Sequence, residues 1–317
     1  MMPMPTNAPP RIDTHQHVVP PFYARWLNQH GIDHAGGRQF PSWSTEGAFD
    51  LMEAAGIATA VLSISTPGLH MGDDAEARDM ARQVNTFLAE VTARHPERFG
   101  FFAALPLPDV DGAISEARYA LDVLKADGVL MLANAGGIYL GDPAWEPLMA
   151  ELNERQAVVF VHPSALPCPE VPGVPPFAAD FLLDTTRAAI RYAQSGSLER
   201  FPDLKVILSH AGGFLPYAAE RVARICSPDG LNPGGIARLR QFYFDTALSS
   251  SPYALPSLLA FADPTHITFG SDWPFAPKER SLYFAGMLDD YPMPDGLRHA
   301  IHRGNAQALF PRLAGPP

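Results

Sequence analysis

Eight strand-length apolar runs recur along the chain, and each is followed by a segment with helically spaced apolar residues. The runs are Arg11–His17, Thr59–Ser65, Phe99–Pro106, Gly128–Ala133, Val158–His162, Lys205–His210, Phe242–Thr246 and Ile267–Asp272. Most are continuous rather than alternating, which is typical of strands buried on both faces of a parallel sheet. Eight such units within roughly 300 residues predict an α/β fold, the (β/α)8 TIM barrel.

A doubly wound open sheet is the competing arrangement of alternating strands and helices. No Gly-x-Gly-x-x-Gly follows a strand run, so a dinucleotide-binding fold has little support. Two long segments, Pro20–Ser44 and Pro163–Ala179, follow the first and fifth strands and are predicted to be βα loops over the C-terminal face. We expect residues 11–317 to form a single domain, preceded by a flexible tail at residues 1–10.

Helix-start signals lie between the strand runs. Thr45 and Asp111 are predicted to begin the helices that follow the first and third strands as capping residues. Pro143, Pro216 and Pro252 are predicted to occupy first-turn positions of later helices.

The charge and cysteine content exclude several classes of partner. A formal net charge of −11 and the lack of a basic run argue against nucleic acid or an anionic membrane. No apolar stretch reaches about 18 residues, and residues 1–10 show no signal-peptide pattern. Cys168 and Cys226 lack Cys-x-x-Cys spacing, as expected of reduced thiols. We therefore expect a cytoplasmic protein whose partner is a small molecule.

Histidine and aspartate side chains end four of the eight strand runs. These residues are His15 and His17 at the end of the first run, His162 at the end of the fifth, His210 at the end of the sixth and Asp272 at the end of the eighth. The C-terminal strand ends of a barrel meet at one face, and residues i and i+2 of a strand point the same way. Each residue alone could be a loop or capping residue, but together they predict a metal centre. Imidazole and carboxylate donors suit one divalent ion, first Zn²⁺ and alternatively Mn²⁺, Fe²⁺ or Co²⁺.

Two longer motifs surround these residues, Val206-Ile207-Leu208-Ser209-His210-Ala211-Gly212-Gly213 and Phe269-Gly270-Ser271-Asp272-Trp273-Pro274-Phe275. With the His-x-His pair they resemble the amidohydrolase superfamily, and within it the decarboxylases of aminocarboxymuconate semialdehyde, γ-resorcylate and 6-methylsalicylate. The resemblance implies that the metal ligands are His15, His17, His162 and Asp272, and that His210 is catalytic. Strand four lacks the lysine that bridges two metals in binuclear members, which supports a single ion.

The resemblance also implies a substrate and a reaction. Decarboxylation of a hydroxylated aromatic or related unsaturated acid needs a metal that chelates the carboxylate and an adjacent hydroxyl. Asp272 is the candidate acid for the ring carbon, and His210 would orient or deprotonate the hydroxyl. Arg221 lies eleven residues after His210 and, by the resemblance, would hold a carboxylate in the neighbouring subunit of a homodimer, or else is a solvated helix residue.

Four aromatic residues near the strand ends are candidate ring walls, with core packing as the alternative. They are Trp43, Phe214, Trp273 and Phe275. The same metal ligands also fit hydrolysis of an amide or lactone by a metal-bound hydroxide, so that reaction stays open. A non-enzymatic binding module would need a vestigial site, whereas all five predicted metal-site and catalytic residues are present.

Overall fold

The computed structural model describes residues 10–314 and contains a barrel of eight parallel strands. They are β1 (Arg11–His17), β2 (Ile57–Ser63), β3 (Phe99–Ala104), β4 (Gly128–Leu132), β5 (Val158–His162), β6 (Lys205–Leu208), β7 (Tyr243–Asp245) and β8 (Ile267–Thr268). Neighbours in sequence are neighbours in the sheet. The amides of Thr14 and His17 donate to the carbonyls of Phe269 and Trp273, which closes β1 on the segment after β8. The predicted (β/α)8 barrel is confirmed.

The α-helices lie between the barrel strands and after the last one. They are α1 (Pro21–Gln29), α2 (Thr45–Ala55), α3 (Asp74–Arg94), α4 (Val110–Asp122), α5 (Glu146–Glu154), α6 (Asp180–Gln194), α7 (Ser197–Arg200), α8 (Leu215–Val222), α9 (Asn232–Leu239), α10 (Leu255–Phe261), α11 (Lys278–Asp290), α12 (Asp295–His299) and α13 (Asn305–Leu309). No helix within residues 10–314 has both the length and the apolar character needed to cross a bilayer.

The continuous apolar character of the strand runs follows from burial on both faces. In β5, Val159 pairs with Val129 and Phe160 pairs with Leu130 of β4, and all four side chains are buried. The ring of Phe160 stacks on that of Phe102, with 5.2 Å between centroids. Inward side chains fill the barrel and outward ones pack under the helices, so neither face needs polar residues.

Three predicted helix starts are wrong by a few residues. Ser44, rather than Thr45, caps α2, because its hydroxyl accepts a hydrogen bond from the amide of Gly47 while Thr45 is already helical. Asp109, rather than Asp111, caps α4 in the same way. Helix α10 begins only at Leu255, so Pro252 lies in the preceding turn. Pro143 and Pro216 do lie in first turns, Pro143 in a short 3₁₀ segment before α5.

The two strands that were predicted to reach His210 and Asp272 end earlier. β6 ends at Leu208 and β8 at Thr268, so both residues lie in turns beyond the strands. His210 has φ 52° and Asp272 has φ 60°, the left-handed region that residues with a side chain seldom adopt. These turns redirect the backbone where the two side chains enter the face of the barrel.

The two predicted long loops meet above the C-terminal face. Residues 20–44 contain α1 and a hairpin that pairs His34–Ala35 with Arg38–Gln39. The amide of Phe177, in the loop after β5, donates to the carbonyl of Gly36 at 3.2 Å. The two loops are therefore in contact with each other above the C-terminal end of the barrel. The predicted N-terminal tail lies outside the described residues except for Pro10.

Candidate metal centre and active site

Four side chains converge at the C-terminal end of the barrel and form one cluster. They are His15 and His17 at the end of β1, His162 at the end of β5 and Asp272 after β8, and their ligand atoms lie within 4.8 Å of one another. All four residues are buried. The structure thus brings together the four residues that the sequence predicts as metal ligands, and we call them the four-residue cluster.

The outer nitrogen of each cluster histidine is fixed by an acceptor. The Nδ1 partners are the Asp245 carboxylate for His15 (2.7 Å), the Ile64 carbonyl for His17 (3.2 Å) and the Pro163 carbonyl for His162 (2.9 Å). Carbonyl and carboxylate oxygens only accept hydrogen bonds, so each Nδ1 carries the proton. In the neutral imidazoles, Nε2 is then an unprotonated lone pair, and that lone pair is the metal-binding form of histidine.

The inner atoms of the cluster lie so close together that a positive charge, either a metal ion or a proton, is needed among them. Nε2 of His15 and Nε2 of His17 are 2.9 Å apart, and Oδ1 of Asp272 is 3.3 Å from each. Two facing lone pairs beside a carboxylate repel one another in a buried site unless a positive charge lies among them. Three imidazole nitrogens and one carboxylate oxygen are a donor set that fits a divalent transition-metal ion.

The burial of the cluster shifts the pKa values of its members in opposite directions. Burial draws the pKa of His17 and of His162 below the usual range. Burial also disfavours the charged form of His15, but the carboxylates of Asp245 and Asp272 outweigh it and raise the pKa of His15 to about 10. Hydrogen bonds with His15, His17 and His210 overcome burial and hold the pKa of Asp272 well below its usual value. A bound cation and a second proton on His15 therefore compete for the same atom, Nε2.

His210 lies beside the four-residue cluster rather than within it. Its Nε2 is 3.6 Å from Oδ2 of Asp272, the oxygen that does not face His15 and His17. Its backbone amide donates to Oδ1 of Asp245 at 2.9 Å. Within the described chain, Nδ1 of His210 is buried without a hydrogen-bond partner. That ring is consequently free to exchange a proton or a hydrogen bond with a bound molecule.

A cavity of about 530 Å³ opens on the cluster, within the size range of small-molecule sites. His162, His210 and Asp272 form part of its wall, and we call it the site cavity. Its apolar wall includes Phe181, Leu182, Phe214, Leu248 and Phe275. Phe214 and Phe275 thus lie where the sequence places them.

The two tryptophans predicted as ring walls do not line the site cavity. Trp43 packs on Phe87, with ring centroids 5.7 Å apart. The ring of Trp273 lies against Gly47 of α2. Asp272 faces the cluster, whereas the left-handed turn in which it lies directs the side chain of Trp273 towards α2. Arg221 is exposed on α8 and likewise does not line the cavity of its own chain.

Two arginines that the sequence interpretation missed line the site cavity near its mouth. The guanidinium of Arg38 lies over the ring of Phe177 at 4.3 Å, and that of Arg280 lies 5.2 Å from the rings of Tyr283 and Phe284. They place positive charge at the entrance of a protein whose net charge is −11. Such a local field favours the entry of an anion. No pattern in the sequence separates these residues from the other arginines.

Asp245 was also missed, although a signal for it exists. It ends β7, the strand between those that lead to His210 and Asp272, and is fully buried. A carboxylate at that strand end reaches the same face as the histidines. The position of Asp245 at the end of an apolar run is the sequence signal that indicates a site residue.

Comparison with known proteins assigns the family. A sequence profile of the amidohydrolase family matches residues 12–312. The chain belongs to the amidohydrolase family. Among family relatives, decarboxylase macB of Penicillium terrestre is 38% identical over 323 aligned positions, which cover 96% of this chain and 95% of that protein. The 6-methylsalicylic acid decarboxylase of Penicillium expansum is 37% identical over 316 positions, covering 96% and 97%.

Solved structures of amidohydrolases agree with the fold. The crystal structure of an amidohydrolase II superimposes with a TM-score of 0.90 at 30% identity and covers 95% of this chain and 99% of that one. The family predicted from the two motifs and the His-x-His pair is confirmed.

Proposed function

We propose that this amidohydrolase-family protein is a divalent-metal-dependent, nonoxidative decarboxylase of a hydroxylated, salicylate-like aromatic acid or a related unsaturated acid. One observation carries the proposal: a metal-binding cluster lies at the wall of a cavity whose remaining wall is mostly aromatic and aliphatic. A flat, apolar ring with one anionic group matches that combination. The relatives named as decarboxylases, one of them of 6-methylsalicylic acid, support it.

Zinc is the ion that we propose for the cluster. Three nitrogen donors and one oxygen donor are typical of zinc sites, and Mn²⁺, Fe²⁺ and Co²⁺ accept the same donors. When bound, a divalent ion supplies a positive charge that holds a carboxylate and an adjacent hydroxyl in fixed geometry and stabilises negative charge on the oxygen. Metal analysis of the purified protein, followed by reconstitution of metal-stripped protein with each ion, tests the choice.

The chain's own groups would deliver the proton that replaces CO₂. The reaction exchanges the ring–carboxylate bond for a ring–hydrogen bond, and the electron pair of the broken bond stays on the ring until the proton arrives. Asp272 is ionised before the substrate binds, so it must first gain a proton. His210, whose Nε2 lies 3.6 Å from Oδ2 of Asp272, would pass on the proton that it takes from the ring hydroxyl of the substrate, and the phenolate product would regain a proton from water. Asp272 then acts as general acid towards the ring carbon.

The cavity wall and mouth would select the substrate. Phe214, Phe275 and Phe181 offer apolar surface to a ring, while Arg38 and Arg280 attract the carboxylate towards the entrance. These groups do not favour a peptide-like or strongly cationic substrate.

Hydrolysis of an amide or lactone is the reaction that must be distinguished from decarboxylation. A panel of salicylate, 6-methylsalicylate, 2,6-dihydroxybenzoate and aromatic amides and lactones should be assayed in parallel for CO₂ release and for hydrolysis. We expect CO₂ from at least one hydroxybenzoate and no hydrolysis. Hydrolysis without CO₂ release would assign the site to the other reaction.

We further propose that the protein is a homodimer whose interface includes the cavity mouth. Tyr217 of α8 and Tyr253 both line the site cavity, yet their side chains are 89% and 92% exposed. Such exposed aromatic surface is typical of a protein–protein interface. Arg221 lies four residues after Tyr217, on the same face of α8, and in a dimer would approach the partner's cavity. Light scattering tests the dimer, and Arg221→Gln should raise KM if the residue acts across it.

A cytoplasmic location is also our proposal. Cys168 is exposed, Cys226 is buried, and both are free thiols. Exposed free thiols are typical of reducing compartments. Localisation of a tagged chain in cell fractions tests it.

A further inference from the structure

Backbone strain is concentrated around the site cavity. Six non-glycine residues of the described chain have a positive φ: Lys125, Gln156, His210, Ala211, Leu248 and Asp272. The last four line the site cavity. Left-handed backbone is unfavourable for residues with a side chain, and strain of this kind gathers at functional sites. The site already described accounts for His210, Ala211 and Asp272, but not for Leu248.

Leu248 occupies a turn position that favours glycine. The amide of Ser249 donates to the carbonyl of Thr246 at 3.1 Å and closes a turn in which Leu248 is the third residue, with φ 52°. The amide of Ala247 donates to Oδ1 of Asp245 at 2.9 Å. The carboxylate that orients His15 therefore also fixes this turn, which gives the Leu248 side chain a defined position relative to the cluster.

Core packing does not explain why a leucine is present. Ala247 and Ser249 on either side are buried, whereas Leu248 is half-buried and lies outside the hydrophobic core of the described residues. Its side chain instead lines the site cavity. A strained turn leucine that lies outside the core and lines a cavity points to a role for the side chain itself.

We propose that Leu248 is a specificity-determining residue that contacts an alkyl substituent of the aromatic substrate and limits its size. The assignment rests on the proposed function, since it names the ring substituent which that site selects. A methylene added or removed in an apolar pocket changes selectivity by about 10- to 200-fold. Shortening the leucine should make room for a longer alkyl group without disturbing Asp245 or the cluster.

The test compares Leu248→Ala and Leu248→Gly with Gln156→Ala and Gln156→Gly. Gln156 has the same φ of 52° but precedes β5, at the opposite end of that strand from His162. The measured quantity is the ratio of kcat/KM for 6-propylsalicylate to that for 6-methylsalicylate. We expect the ratio to rise about tenfold or more in both Leu248 variants and to stay unchanged in both Gln156 variants. At each position the glycine variant should unfold at or above the temperature of the alanine variant.

A binding measurement separates this proposal from the proposed reaction. Calorimetry with 3-methylphenol and 3-propylphenol, the corresponding decarboxylated products, reports selectivity without any turnover. A higher affinity for 3-propylphenol relative to 3-methylphenol in the Leu248 variants supports the assignment. It does so even if no hydroxybenzoate loses CO₂, because that result contradicts only the proposed reaction. The role of Leu248 would be overturned if CO₂ is released but the kcat/KM ratio of the two salicylates and the affinity ratio of the two phenols both stay within about twofold of wild type. Loss of binding for both phenols at an unchanged unfolding temperature would overturn it as well.

Discussion

Asp245 orients His15. Its Oδ2 accepts a hydrogen bond from Nδ1 of His15 at 2.7 Å, and both side chains are fully buried. Its Oδ1 accepts hydrogen bonds from the amides of His210 and Ala247, each at 2.9 Å. One carboxylate thus fixes a member of the four-residue cluster, the cavity histidine and the turn that carries Leu248.

Replacing Asp245 by asparagine should weaken metal binding. The amide nitrogen would donate to Nδ1 of His15 and favour the tautomer with a proton on Nε2, which blocks the ligand atom. We expect a loss of about 10- to 100-fold in metal affinity, measured by competition with a chelator.

Asp184→Asn is the matched control for that change. Asp184 is a buried carboxylate near the same face, but it accepts from the amide of Ser164 and from Asn134 rather than from a histidine. Its replacement should leave metal affinity within about threefold of wild type. Equal affinities for the Asp245 variant and wild type would contradict the role given to Asp245.

Variants of His162 and of His210 should differ in metal content. His162 belongs to the four-residue cluster and His210 does not. His162→Asn should lose the metal and the activity together. His210→Asn should keep the metal while kcat falls by about 10²- to 10⁴-fold, the range for loss of a proton-transfer group. Metal analysis and steady-state kinetics on the same samples distinguish the two roles. A His210 variant without metal would show that His210 is itself a metal ligand.

The sequence alone predicts the barrel and the cluster because both follow from local patterns. The continuous apolar runs identify strands such as Val158–His162, whose predicted bounds are those observed. Strand ends place His15, His17 and His162 at one face. Asp272 lies in a turn beyond β8, and the motif that surrounds it, rather than a strand end, identifies it as a ligand.

Features that depend on tertiary contacts cannot be predicted from local sequence patterns. The turn after β8 sends Trp273 towards Gly47 while Asp272 faces the cluster, which is a property of backbone angles rather than of residue types. The arginines Arg38 and Arg280 reach the cavity only because a hairpin and a helix fold over it. The left-handed turn that holds Leu248 likewise has no sequence signature, since glycine is expected there.

The buried residue His302 should make stability depend on pH. Burial, followed by the nearby charge of Arg11, lowers the pKa of His302 to about 3 from its ordinary 6.5. Between these values the unfolded chain binds a proton that the native protein does not, so this contribution to stability is complete above 6.5 and is lost as pH falls towards 3. From pH 7.5 to 5 it amounts to about 2 kcal/mol.

Urea unfolding of wild type and of His302→Gln at both pH values tests that contribution. The variant should lose less stability than wild type on acidification, by about the same 2 kcal/mol, because other titrating groups contribute equally to both proteins. An identical loss in the two proteins would show that His302 does not titrate differently on unfolding.

Arg280 at the cavity mouth should assist substrate capture. Arg280→Gln removes a positive charge from the entrance and should raise KM for an aromatic carboxylate by about 3- to 10-fold with little change in kcat. The effect should shrink at high salt, where exposed charges are screened. Arg94→Gln is the control, because it removes the same charge from α3, where Arg94 pairs with Glu90 at 3.2 Å. Equal KM values for the two variants would exclude steering by Arg280.

The most direct measurement is the fate of 6-methylsalicylate with a labelled carboxyl carbon, incubated in deuterated water with metal-loaded and with metal-stripped protein. The proposed function predicts equal amounts of labelled CO₂ and 3-methylphenol, with deuterium on the carbon that carried the carboxylate, and no turnover after metal removal. Full activity of the metal-stripped protein, or intact hydroxybenzoates alongside hydrolysed amides or lactones, would contradict it.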